Sequence, residues 1–404
     1  MLGALRWPVF RRLWLLSSSI QFGYWFASIS FQWIVARATD NDPLMLSLLY
    51  FSVLVPSLLF SLPAGALADQ LDRRHVVQVG QAGVVVTGVV TALLVVVDTG
   101  GVTAILCCAF VAGTVHALAI PASQALVGGE LPPENLRSGV LLQASGMNLA
   151  RVAGPAFAGV VIVVSGAVAA LLVYAALAIV TVTGLHGLRL ARPRPAPDGT
   201  GLVARIGSGL RHAWQRPPAG TALAVVATAS LFALSYNSQL PAIAARASDN
   251  PNVFLILTTL VGVGSVAGIL INALRRPAPQ VSVRPAVLML ALAGVVMATL
   301  AVATHLWLVV VLALAIGALQ FAIMTECAQV IQSVVADSHR GRVMSIYFLC
   351  WGGLLPIGGL VLGTTWHAFG PVVALGASGT VCVAIAVTLG IIGRGTRPRA
   401  DEQE

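Results

Sequence analysis

The chain has 404 residues, of which 58% are hydrophobic and only 9% charged, with a mean hydropathy of +0.91. Soluble proteins carry about 25% charged residues, so this composition excludes a soluble domain with a single apolar core. The net charge of +9 comes from Arg alone; without a Lys there is no G-x-x-x-x-G-K-[ST] phosphate loop for a nucleotide-driven pump and no Schiff-base enzyme or retinal-type photoreceptor.

Apolar runs of about 20 residues, enough to cross a bilayer, recur along the whole length. Helix is the default for each, because hydrocarbon tolerates only helices and closed barrels. Barrel strands would alternate apolar and polar residues over about 10 positions, and these runs do not. Twelve spans are predicted. The first, 12–36, carries a polar series of Ser17, Gln21, Tyr24, Ser28 and Gln32. The second, 44–67, leads into "GALADQLDRRHV", two Asp and two Arg between apolar runs. The third is 76–97, and the fourth, 102–127, holds His116. The fifth, 138–165, contains Arg151 and "GPAFAG", with Gly154, Pro155 and Gly159; the sixth is 167–189. After a Pro- and Arg-rich stretch comes the seventh, 219–245, with Tyr236, Asn237 and Gln239. The eighth to twelfth are 252–274, 285–304, 307–333 (with Glu326), 343–366 and 370–393.

Charge placement orients the chain. With both termini cytoplasmic, 20 Arg face the cytoplasm, Arg37 and Arg246 lie outside, and Arg151 lies within a span, as the positive-inside rule expects. The basic pI therefore reports topology, and nucleic acid is not an expected partner. The first apolar stretch lacks a small-residue cleavage pattern, so no cleavable signal is expected. The domain plan is a six-helix half over 1–190, a cytoplasmic linker over 191–218, and a second half with a basic tail over 219–404. Residues 202–214 fit either a basic amphipathic helix on anionic headgroups or a solvated loop whose Arg residues anchor topology. The five Cys all fall inside spans, with no disulfide or metal spacing. The His residues are scattered singly, so neither an enzyme nor a cofactor is expected.

Ionisable groups inside a bilayer are expensive and are functional candidates by default. His116, Arg151 and Glu326 each lie roughly 10–20 residues from a span end, about 15–30 Å deep at the helical rise. Glu326 is the candidate for proton coupling, since a desolvated carboxyl titrates toward neutral pH, with His116 next. Arg151 stays charged and needs a partner, water or an anionic substrate; the alternative is polar glue between helices. With Gln21, Tyr24, Gln32, Tyr236, Asn237 and Gln239 it is assigned to a substrate cavity that suits a bulky amphipathic molecule. The same polar residues are also common as plain interhelical bonds.

A faint repeat links the halves. "LRSGVL" leads through "GPAFAG" to Gly166, and "HRGRVM" leads through "PIGG" to Gly370, over 29 and 30 residues counted from Arg137 and Arg340. Repeated halves are a common transporter plan. The charged turn then resembles the loop signature of the major facilitator superfamily, matched by Gly65, Leu67, Ala68, Asp69, Arg73 and Arg74. Asp72 replaces the usual second Gly, as in the branch of drug and siderophore exporters that includes the enterobactin exporter. "GPAFAG" resembles the fifth-span element of proton antiporters, with Ala158 in place of a Gly. Two positions depart from relatives: Tyr24 stands where many carry an acid, and His116 is the only ionisable residue in the fourth span, where drug antiporters often carry Arg.

The resemblance implies an all-α membrane protein of the major facilitator fold, a monomer in the bacterial cell membrane. It implies export of a drug, antibiotic or siderophore in exchange for protons. It further implies that Asp69 latches the cytoplasmic side against the start of the eleventh span and that the Gly-Pro element is a flexible packing seam. A lipid flippase or a non-transporting sensor on the same fold is the alternative.

Overall fold

The computed structural model describes residues 2–129, 131–132, 135–186, 188, 210, 215–274 and 282–395; the side chains of 2–3, 61–70, 127–129, 136–137, 337–338 and 393–395 lie outside that description. The expected 191–218 linker and its 202–214 stretch therefore fall mostly outside the described residues. Among the described residues all regular structure is helical. In chain order the helices are α1 (Pro8–Ala38), α2 (Pro43–Gln70), α3 (Arg73–Val97), α4 (Gly101–Gly129), α5 (Leu136–Leu185), α6 (Pro217–Thr228), α7 (Leu240–Ala247), α8 (Val253–Leu274), α9 (Arg284–Val302), α10 (Leu306–Val334), α11 (Asp337–Phe348) and α12 (Leu354–Gly395). Nine described segments are long and apolar enough to cross a membrane. Helix α1 is not among them, because its Ser, Gln, Tyr and Trp residues dilute its apolar content.

Local chemistry sets the helix ends. Pro8 opens α1 and Pro43 opens α2, at positions where the missing N–H is no loss. The tight turn between them needs two left-handed residues, Asp40 and Asn41 (φ 48° and 62°), and Asp42 then accepts a hydrogen bond from the Met45 N–H at 2.8 Å. Helix α3 is capped by Asp72, whose carboxylate accepts from the Arg74 N–H at 2.9 Å and lies 3.2 Å from His75 Nδ1. The residue that departs from the loop signature is thus an N-cap, a role for which Asp is among the best side chains.

Helix α5 is 50 residues long and α12 is 42, and each is interrupted at one glycine: Gly166 at φ 84°, ψ 167° and Gly370 at φ 83°, ψ 170°. That conformation is open essentially to glycine alone. Matching dihedrals at the two residues that end the sequence repeat identify them as structural equivalents. The expected seventh span does not form one helix. After α6 it passes through a π-helical turn (Ala229–Ala233) and a 3-10 turn (Ser235–Gln239) before α7. A second π-helical turn, Leu349–Gly353, separates α11 from α12.

By internal contacts the chain forms two compact units, one of residues 1–198 with 238–262 and one of 199–237 with 263–404. In the first, α1 packs on α5, α2 on α4, and α3 on both α4 and α5. Phe10, Leu13, Leu16 and Ile20 meet Val76, Val77, Leu126 and Leu185 in a core near one end. Helix α3 shows the solvent this unit is built for: it buries Gln81, Thr87 and Thr91 and exposes Val79, Val86, Val90, Leu93 and Val97. Polar groups inward and apolar groups outward is the arrangement a lipid surround demands. In the second unit α9 packs on α12 and α10 on α6. There the carbonyl of Gly294 occupies the place where a Cβ of Gly379 would stand, and the Leu231 carbonyl does so for Gly358. Only glycine allows backbones that close.

Candidate functional site

In the first unit α1, α2, α4 and α5 each bring one half-buried aromatic or ionisable side chain into the same region. Tyr24 of α1 stacks on His116 of α4, with ring centroids 4.4 Å apart and planes 19° from parallel. The Tyr24 phenol is in electrostatic reach of Arg151 on α5 and of Tyr50 on α2. Arg151 donates from Nη1 to Asn148 Oδ1 at 3.2 Å, one helical turn back. Trp25 meets Tyr24 edge-on at 5.7 Å. His116 also borders a narrow void with Ser19, Gln81 and Tyr174. Gln81 is 2% exposed, and its Nε2 has no hydrogen-bond partner among the described residues.

The seam that holds this cluster is the Gly-Pro element. A Cβ on Gly154 would lie 2.7 Å from Trp25 Cβ, so the bare backbone of α5 lets α1 approach and brings Tyr24 to Arg151. Pro155 is buried in the next position, and Gly159 faces Leu255 of α8. Gln21 is half-buried on α1; Gln32 is 9% exposed with its Oε1 unpartnered among the described residues. Gln239 is fully buried. Its Nε2 donates to the Pro43 carbonyl at 3.0 Å and to Ser47 Oγ at 2.6 Å.

In the second unit the Tyr236 hydroxyl donates to Gln320 Oε1 at 3.1 Å, while Asn237 Nδ2 bonds the Leu234 carbonyl within its own turn. Tyr347 donates to the Met324 carbonyl at 3.0 Å, and Phe321 and Phe348 flank Trp351 on the second π-helical turn. Glu326 sits half-buried on α10, and among the described residues no side chain hydrogen-bonds its carboxyl. No group of three metal-ligating side chains occurs among the described residues.

At the charged turn, Arg74 donates from Nη1 to the Leu188 carbonyl at 3.0 Å, tying the start of α3 to the chain beyond α5. Arg73 is half-buried at the first position of α3. Gly65 and Asp69 lie on the last turns of α2, but their side-chain surroundings, and so the expected latch, fall outside the described residues. The sequence brought forward Tyr24, His116 and Arg151, which the fold gathers. It passed over Tyr50, Gln81, Asn148 and Trp351. Tyr50 had a usable signal, since a phenol inside an apolar run needs a partner for its hydroxyl.

Comparison with known proteins gives a consistent picture. The family described as transmembrane secretion effector matches residues 1–402. The staphyloferrin A transporter of Staphylococcus aureus is 25% identical over 391 residues, covering 94% of this chain and 95% of that protein. The multidrug efflux pump Tap of Mycobacterium bovis is 27% identical over 356 residues, covering 85% and 83%. Among solved structures, the nucleoside transporter NupG aligns with a TM-score of 0.75 at 12% identity, over 96% of this chain and 99% of that one. A bacterial homologue of the human lysosomal transporter Spinster aligns at 0.69 and 14%, over 95% of each. At such identities the structural likeness speaks for the fold alone.

Proposed function

Since the chain belongs to the transmembrane secretion effector family, within the major facilitator superfamily, it is a multi-pass membrane transporter, and we propose that it exports a bulky amphipathic small molecule in exchange for protons. Drug and siderophore are the substrate classes its relatives' names support. The nine membrane-crossing segments become twelve spans when α5 and α12 are each divided at their glycine and α1 is added. In this reading the spans form two six-helix halves joined by the 191–218 linker in a bacterial inner membrane, and the Arg distribution supports placing both termini on the cytoplasmic side. Alternating access by those halves carries the substrate across.

The observation that carries this reading is the convergence of Tyr24, Tyr50, His116 and Arg151 from four different helices. A permanent cation and stacked aromatics deep in a bundle recognise amphipathic molecules with an anionic or hydrogen-bonding group. Glu326 supplies the proton step, being the one carboxyl deep in a span, and Gln21 contributes polar lining on α1 beside Tyr24. The relatives are named as a transporter and an efflux pump, and in this reading the site binds its substrate without converting it.

The test uses purified full-length protein in liposomes, with ethidium and staphyloferrin A as probes of the two substrate classes. An imposed proton gradient drives accumulation of at least one probe, and a protonophore abolishes it. Glu326→Gln still exchanges that probe across the membrane at equal concentrations but no longer accumulates it. Accumulation by Glu326→Gln at the wild-type rate would move the proton step elsewhere, to His116 first.

A further inference from the structure

Within the second unit, α8 meets α10 along a single line of residues. A Cβ on Gly264 would strike the Leu314 carbonyl, and one on Gly268 would strike the Ala318 carbonyl. Four residues further along α8, Asn272 Nδ2 donates to the Ala322 carbonyl at 2.8 Å and to Thr325 Oγ1 at 2.8 Å. The pairs 264–314, 268–318 and 272–322 share one offset of 50 residues, so the two helices run parallel and touch about once per turn. The glycines bring backbone onto backbone, and the amide adds a directional bond at the end of the seam.

Asn272 is 8% exposed, while Leu270, Ile271 and Leu274 beside it face outward. Its Oδ1 is buried with no partner among the described residues. A buried acceptor without a donor is a cost, and an apolar side chain of similar size would avoid it. What Asn adds is the donor end, and both of its bonds land on one turn of α10. Ala322 lies four residues before Glu326, so its carbonyl is also the acceptor that the helix assigns to the Glu326 N–H. Thr325 Oγ1 donates in turn to the Phe321 carbonyl at 2.8 Å and the Ala322 carbonyl at 3.2 Å. Three donors thus converge on a carbonyl with two lone pairs. The turn that bears Glu326 is held from α8 as well as by its own ladder, and away from water those bonds are hard to replace.

We propose that Asn272 is the positioning residue for Glu326: from α8 it fixes the turn 322–326 of α10, so that the half-buried carboxyl keeps one position relative to α8 through the transport cycle. This rests on the reading of Glu326 as the proton-coupling residue. Without the clasp the glycine seam still joins the helices, but the turn bearing Glu326 follows the α10 ladder alone and its carboxyl is less well placed. Such a protein still moves the probe across the membrane and couples that movement poorly to protons.

The experiment uses full-length protein with its five Cys replaced, carrying Glu326→Cys and purified in detergent. Methanethiosulfonate ethylsulfonate labels the introduced Cys at a rate set by how freely its turn moves. Asn272→Leu, which fills the site and removes the donor, raises that rate about fivefold. Thr325→Val, which keeps the Ala322 bond, raises it by a smaller factor and carries the test alone where Asn272→Leu does not fold. Equal rates in all these proteins would overturn the proposal. With Glu326 restored, the same variants in liposomes exchange the transported probe at equal concentrations at close to the wild-type rate. Proton-driven accumulation by Asn272→Leu falls about fivefold. Exchange and accumulation falling together would mark a merely structural role and overturn the proposal. Labelling needs no proton gradient, so unchanged labelling overturns the clasp, whereas faster labelling with undiminished accumulation overturns the reading of Glu326 on which it rests.

Discussion

Gly154→Ala probes the seam on which the candidate site depends. The added Cβ would stand 2.7 Å from Trp25 Cβ, 3.0 Å from its Cγ and 3.2 Å from its Cδ1. Ordinary carbon contacts lie at about 3.5–4.0 Å, so α1 and α5 must separate by about 1 Å. The nearest atom is Trp25 Cβ, which cannot swing aside as a ring could, and overpacking of this kind costs about 1–3 kcal/mol. Tyr24 is the neighbouring residue and moves with α1, away from His116 and Arg151. A loss of about 1.4 kcal/mol at the site is tenfold in affinity, so transport at low substrate falls by about that factor. Unfolding in detergent and initial transport rates, measured on the same preparations, report the two effects. Trp25→Ala keeps the Cβ and should not rescue Gly154→Ala, whereas Trp25→Gly should. Wild-type stability and transport in Gly154→Ala, or rescue by Trp25→Ala, would refute the claim that helix spacing at Gly154 sets the site.

Asp72→Ala removes the cap of α3 and lowers stability by about 0.5–2 kcal/mol, with Asp72→Ser keeping most of it; thermal unfolding of the three proteins measures this. Arg151→Gln weakens binding of carboxylate-bearing probes about tenfold or more and leaves cationic ethidium nearly unchanged, as equilibrium binding would report. Single Cys probes at Arg194 and Asp249 label from opposite sides of the membrane, and labelling of position 194 by an impermeant reagent in intact cells would reverse every assignment of sidedness.

The sequence made the helical class legible because it rests on composition, and the faint repeat marked two equivalent kinks by spacing alone. The repeat ended at Gly166 and Gly370, and those residues share one glycine-only conformation. Other features were hidden for physical reasons. Residues 219–245 read as one apolar helix, because a π-helical turn adds a residue to the backbone register without altering composition. Asp72 read as a departure from a motif, although an Asp directly before Arg73 is also an N-cap signal. Tyr24, His116 and Arg151 stood out because each is polar in an apolar run. Their meeting could not be read, since it depends on which faces of α1, α4 and α5 pack together. Gln239 looked like one more cavity residue; only the break before α7 explains why it turns toward Ser47.

The most direct test of proton-coupled export is to watch both species at once. Liposomes containing the purified protein and a trapped pH-sensitive dye are given a gradient of the probe that they accumulate, with no imposed proton gradient. Exchange predicts that the probe moving down its gradient drives protons the opposite way, so the lumenal pH shifts with the probe flux and Glu326→Gln abolishes the shift. Probe flux through the wild type at constant lumenal pH would contradict the proposed coupling.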